Sequence, residues 1–233
     1  MRSNLTGFPQ EGRIHAVMLA NLITAGRVGL VFVAVGLLYT HTVWGALAAF
    51  ALVLAAIIMD WLDGFLARRT HSETPFGAVM DILGDRIVEN VLWIVFAHLG
   101  LIPVWVPIVV VVRGFVTDSF RSVALTQGET PFGKKTMIKS RLGRLIVSSR
   151  TSRTLYAVIK GVAFCYLTLS LSLLNAPAGS STADWRAAHE PALRLGGLWL
   201  VYFTVAFCVI RALPVVQDGL AQVKRLKAGA RVR

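Results

Sequence analysis

The chain has 233 residues, of which 55% are hydrophobic, and carries Lys+Arg 24 against Asp+Glu 12, a formal net charge of +12. A mean hydropathy of +0.66 is too apolar for a soluble domain of this length and predicts an all-α polytopic membrane protein. The basic residues fall between apolar segments and form no known binding motif, so anionic lipid headgroups and anionic substrates are expected as partners, and nucleic acid is not.

Met1 to Gly12 is polar and shows no apolar run ending in a cleavage site, so no removable signal peptide is expected. A short amphipathic helix is expected from Arg13. Six spans follow, over residues 21–39, 43–67, 75–99, 103–125, 154–174 and 191–216. Each is long enough for a hydrocarbon core of about 30 Å. They are read as one membrane domain over residues 1–233. Lys and Arg concentrate in three places. These are the turn holding Arg68 and Arg69, the stretch from Lys134 to Arg153, and the tail from Lys224 to Arg233. With six spans all three share a side with the N-terminus. The positive-inside rule makes that side cytoplasmic, in a bacterial-type inner membrane. The opposite side is assigned the bends at His41 and Leu101 and a loop over 175–190, where Arg186 is the one strong base. Cys165 and Cys208 each lie in an apolar segment and form no disulfide or zinc framework.

The second and third spans contain Asp60, Asp63, Asp81 and Asp85. On the translocon scale four such residues cost on the order of 10 kcal/mol if nothing compensates. Asp60 and Asp63 are spaced i, i+3, and Asp81 and Asp85 i, i+4, so each pair shares a helix face. The short turn between the spans makes them antiparallel neighbours near the cytoplasmic side. Converging carboxylates suit hard cations, Mg²⁺ or Mn²⁺, and two ions about 3.5–4 Å apart fit such a cluster. Gly64, Ala67 and Gly77 let a ligand or helix come close to the backbone, and Arg68 can pair with phosphate in a fork. Two other readings are open. The aspartates could form structural ion pairs with Arg27, Arg113, Arg121 or Lys160, or they could line a divalent-cation transporter.

The pattern Asp60-x-x-Asp63-Gly64-x-x-Ala67-Arg68-x₈-Gly77-x-x-x-Asp81-x-x-x-Asp85 resembles the whole signature of the CDP-alcohol phosphotransferase family, with no departure. The resemblance implies a membrane homodimer that moves a phosphoalcohol group from a CDP-linked donor to an alcohol and releases CMP. It also implies that Asp60, Asp63, Asp81 and Asp85 hold Mg²⁺ or Mn²⁺, two ions in all. Asp85 is then the general base as well. Asp63, Gly64, Ala67 and Arg68 line the CDP site, with Arg68 near the diphosphate, and Gly77 permits close packing there.

Asn21-x-x-Thr24-x-x-Arg27 resembles an opening common in the family and marks a possible substrate site. Ala20 stands where a proline often precedes the asparagine. Arg113 to Arg121 resembles an Arg-Glu…Arg segment of members that make phosphatidylglycerol phosphate, with Gly114 in place of the Glu. Arg113, Arg121, Arg153 and Lys160 would suit an acceptor that carries its own phosphate. The expected reaction joins CDP-diacylglycerol to glycerol 3-phosphate, with inositol phosphate as the rival acceptor.

Overall fold

The computed structural model of the chain describes residues 10–70, 75–126, 147, 149–175 and 181–230. These contain six helices and no strand: α1 (Gln10–Leu38), α2 (Val43–Thr70), α3 (Pro75–His98), α4 (Trp105–Thr126), α5 (Arg150–Leu174) and α6 (Ser181–Ala230). Three stretches are long and apolar enough to cross a membrane: Val43–Leu62, Thr151–Leu174 and Trp185–Val223. Leu22–Leu38 is a shorter apolar helix. The helix α3 carries Asp81 and Asp85, and α4 carries Arg113, Asp118 and Arg121, which lowers their hydropathy. Large apolar side chains stand open on most helices, among them Phe32, Trp44, Ile94, Phe115, Trp199 and Phe203. A soluble protein would bury them, whereas lipid solvates them.

The described residues form two compact units. The first runs to Val95 and includes Thr168–Ala188. Its centre is the α1–α2 hairpin, whose helices pack on each other. The buried stripe of α1 is Thr24, Arg27, Val31, Ala34 and Leu38; that of α2 is Ala46, Ala49, Val53 and Ala56. Small residues in the α2 stripe let the two backbones approach. The turn is tight. Thr40 Oγ1 donates to the Leu37 carbonyl at 2.7 Å, and the Gly45 amide donates to Thr42 Oγ1 at 3.0 Å, which caps α2. A Cβ on Gly45 would lie 2.8 Å from the Leu37 carbonyl oxygen, so only glycine fits there. The C-terminal end of α3 belongs to the second unit, and there Gly100 has φ +71°. The Leu101 amide donates to the Phe96 carbonyl at 3.0 Å and the Gly100 amide to the Ala97 carbonyl at 3.1 Å, the Schellman ending of a helix.

The second unit holds Phe96–Leu167 and the chain from His189 on. Val106, Val110, Ala163, Phe164, Val201, Val205 and Cys208 are buried in it. The Phe96 and Phe164 rings meet at 5.9 Å, and those of Trp105 and Tyr202 at 5.4 Å. Tyr166 lies against Gly196 and Gly197 and donates its hydroxyl to the Leu193 carbonyl at 3.0 Å.

Two expectations about local structure change. The amphipathic helix expected from Arg13 is not separate: α1 runs unbroken from Gln10 to Leu38. Ala20 favours this, since it keeps the intrahelical hydrogen bond that a proline there would remove. The loop expected over 175–190 is helical from Ser181, and Pro191 and Pro214 lie inside α6. Residues 183–189 include three alanines, which favour a helix start before Pro191, and packing of the long apolar helix offsets the bond that each proline removes. Arg186 donates to the Leu174 carbonyl at 2.9 Å and so satisfies the last turn of α5. The basic stretch 127–146 lies outside the described residues.

Candidate active site

The buried stripe of α2 continues from Ala56 by one turn to Asp60. The buried stripe of α1 carries Arg27, whose side chain is 4% exposed. Helical side chains lean toward their own N-terminus, so Arg27 leans away from the hairpin turn and toward Asp60. There Arg27 Nη1 pairs with Asp60 Oδ1. Its Nη2 lies 3.0 Å from Asp85 Oδ1 and 3.8 Å from Asp81 Oδ1. One guanidinium on α1 thus ties α2 to α3.

Gly84 makes this approach possible. A Cβ at that position would stand 2.7 Å from Thr24 Cγ2 and 3.1 Å from Arg27 Nη2. Gly84→Ala is therefore expected to push α1 off α3 and to destabilise the protein by about 1–3 kcal/mol, the usual cost of overpacking. Thermal unfolding of the detergent-solubilised protein checks this. An unchanged Tm would mean that Thr24 simply turns aside.

Oxygen atoms of Asp60, Asp81 and Asp85 all lie within 4.8 Å of one another. Their side chains are 44%, 52% and 49% exposed, so water or phosphate can reach the remaining ligand positions. Three carboxylates against one guanidinium leave a net negative charge. Hard oxygen donors, close spacing and open positions fit a divalent cation of the Mg²⁺ type.

The remaining expected residues stand as follows. Asp63, Gly64, Ala67 and Arg68 belong to α2, and Asn21 to α1, but their side chains lie outside the described residues. Gly77 belongs to the first turn of α3. Thr24 is buried beside Gly84.

The second unit holds a separate group of cations. Arg113 on α4 and Lys160 on α5 lie 5.8 Å and 5.7 Å from the centre of the Tyr156 ring. Arg121 pairs with Asp118 at 3.2 Å, one helical turn away. Arg211 on α6 was not singled out by the sequence reading. It is 8% exposed, lies 5.4 Å from the Tyr156 ring centre, and donates to the Ser152 carbonyl at 2.7 Å. Arg113, Arg121 and Arg153 lie near enough to repel its charge. Asp118 and the Tyr156 ring offset part of this crowding of like charge. The signal that could have found Arg211 is the general cost of an arginine within an apolar span.

These features define an all-helical integral membrane protein with an acidic cluster able to take a divalent cation. A family model for CDP-alcohol phosphatidyltransferase matches residues 17–210, and the chain belongs to that family. It is 37% identical over 82 residues to a cardiolipin synthase (CMP-forming) of Oryza sativa subsp. japonica, covering 35% of this chain and 25% of that protein. It is 29% identical over 175 residues to CDP-diacylglycerol–glycerol-3-phosphate 3-phosphatidyltransferase 1, chloroplastic/mitochondrial, of Arabidopsis thaliana, covering 66% of this chain and 59% of that protein. It is 30% identical over 164 residues to the CDP-diacylglycerol–glycerol-3-phosphate 3-phosphatidyltransferase of Pseudomonas fluorescens, covering 66% of this chain and 84% of that protein. The chain thus spans a quarter of the rice relative, somewhat under two thirds of the Arabidopsis one and most of the bacterial one.

Proposed function

We propose that the chain is a phosphatidyltransferase of phospholipid synthesis. It moves the phosphatidyl group of CDP-diacylglycerol to glycerol 3-phosphate and releases CMP. The observation that carries this reading is the convergence of Asp60, Asp81 and Asp85 within 4.8 Å, in a chain of this family. Family membership also favours a transferase over a cation transporter. Two relatives named for the glycerol 3-phosphate reaction support the acceptor.

Asp60, Asp63, Asp81 and Asp85 would hold Mg²⁺ or Mn²⁺, two ions in all. Bound there, the metal would neutralise the diphosphate and the departing CMP. Gly64, Ala67, Arg68 and Gly77, with Asp63, would bind the CDP part of the donor. Asn21, Thr24 and Arg27 would complete the wall that α1 contributes. The acceptor hydroxyl oxygen attacks the phosphorus that bears the diacylglycerol. The bond from that phosphorus to the bridging oxygen breaks, its electron pair leaves with CMP, and the hydroxyl proton passes to Asp85. Arg113, Arg121, Arg153 and Lys160, joined by Arg211, would bind the acceptor's phosphate. The same proposal takes the protein as one six-span domain and a homodimer, with its active site and both termini on the cytoplasmic side of a bacterial-type inner membrane.

CMP release tests this. Purified protein is given CDP-diacylglycerol and Mg²⁺ with glycerol 3-phosphate, inositol phosphate or phosphatidylglycerol in separate reactions. Glycerol 3-phosphate is expected to support turnover at least tenfold faster than either rival, a difference of about 1.4 kcal/mol. Turnover with a rival alone would overturn the acceptor assignment, and no CMP from any acceptor would overturn the transferase reading.

A further inference from the structure

We infer that Arg27 is a positioning residue that acts as the resident counter-cation of the acidic cradle, gathering its carboxylates and weakening their hold on a divalent ion. The inference deepens the metal-cradle reading above and rests on it.

Four observations carry it. Arg27 is buried, with 4% of its side chain exposed, although it stands in a helix facing half-exposed carboxylates. It meets carboxylates from two other helices: Asp60 on α2, and Asp85 and Asp81 on α3 at 3.0 Å and 3.8 Å. Gly84 leaves the space through which it does so. Its Nε and Nη2 have no hydrogen-bond acceptor among the described residues, so ion pairing alone holds that edge of the guanidinium.

A buried guanidinium is costly unless paired, so the aspartates are what keep Arg27 in place. The converse also holds. Without Arg27, carboxylates with oxygens within 4.8 Å of one another would repel, and the three helices would splay. A divalent ion seeks the same oxygens as Arg27, and two positive charges sharing them oppose each other. The ion is then held loosely enough to exchange. Replacing Arg27 by a neutral side chain should reverse both effects: tighter ion binding, and a weaker fold when no ion is present.

The test uses the full chain in detergent and reads Mn²⁺ binding by the paramagnetic resonance of the free ion, with thermal unfolding alongside. Arg27→Gln is expected to bind Mn²⁺ about tenfold more tightly than wild type, as removal of one nearby positive charge requires. Its Tm without metal should fall, and the rise on adding Mn²⁺ should exceed that of wild type. Arg27→Lys keeps the charge and should bind Mn²⁺ within about threefold of wild type, since lysine loses the fork but not the repulsion. If Arg27→Gln folds only with Mn²⁺ present, the inference is supported, because the ion has replaced the arginine. If it stays unfolded at saturating Mn²⁺, the inference is overturned. Equal or weaker Mn²⁺ binding by Arg27→Gln, with wild type binding normally, overturns this inference alone. Absence of Mn²⁺ binding in both proteins overturns the cradle reading and this inference with it.

Discussion

Asp85→Asn is expected to lower the rate of CMP release by about 10²–10⁴-fold, the range over which a positioned general base contributes. The asparagine amide has the shape of the carboxylate but takes up no proton. Arg27 keeps Asp60 as a partner, so α1 stays tied to α2 and the fold should survive. The difficulty is that Asp85 also stands in the carboxylate cluster, so its loss weakens any bound metal. Metal titration separates the two effects. A variant that has lost only a ligand recovers as Mg²⁺ is raised, and Asp81→Asn, whose carboxylate lies 3.8 Å from Arg27, serves as that control. Asp85→Asn should stay inactive at the highest Mg²⁺ that restores Asp81→Asn. If both recover alike, Asp85 is a ligand and the base must be sought elsewhere.

The meeting of Asp60, Asp81 and Asp85, three of the four expected aspartates, is legible in the sequence because helical periodicity favours it. Spacings of three and four residues place Asp81 with Asp85 on one face, and a short turn forces α2 and α3 to be antiparallel. What brings Arg27 to them was not legible. The motif Asn21-x-x-Thr24-x-x-Arg27 marks α1 as significant, yet its contact with α3 depends on the absence of one side chain at Gly84. That position lies within the quoted stretch but outside the signature's fixed residues, and nothing in its spacing distinguishes it from the other glycines. The idea that Arg27 forms structural ion pairs and the idea that the aspartates hold metal were set against each other as rivals. The geometry brings Arg27 and three carboxylates to one place, so the two need not exclude each other. The ends of α6 were misjudged for a different reason. A loop over 175–190 and a span beginning at Pro191 are the expectation, but a long apolar helix absorbs a missing hydrogen bond at Pro191 and again at Pro214. Arg211 escaped notice because a lone arginine in an apolar segment carries no motif, and its meaning depends on Tyr156 and Ser152 from another helix.

Arg211→Ala should raise the KM for glycerol 3-phosphate by roughly 10–100-fold, with a smaller change in kcat, because a hydrogen bond to a charged group contributes about 1.5–3 kcal/mol. Arg113, Lys160 and Arg211 all lie within about 6 Å of the Tyr156 ring centre, more positive charge than one ring quadrupole offsets. Arg211 also has the Ser152 carbonyl, and the neighbouring Arg121 has Asp118. An anion bound among them would relieve their mutual repulsion, and a phosphate dianion would do so more than a singly charged group. Two controls distinguish recognition from packing. The KM for CDP-diacylglycerol should hardly move if Arg211 serves the acceptor, whereas a packing defect should disturb both substrates and lower the Tm. Inorganic phosphate should compete with glycerol 3-phosphate in the wild type and lose most of that effect in the variant. Arg211→Lys should recover part of the phosphate sensitivity, since the charge returns while the planar fork does not. If Arg211→Ala keeps the wild-type KM and the wild-type phosphate inhibition, the cations around Tyr156 serve the fold of the second unit and the acceptor's phosphate binds elsewhere.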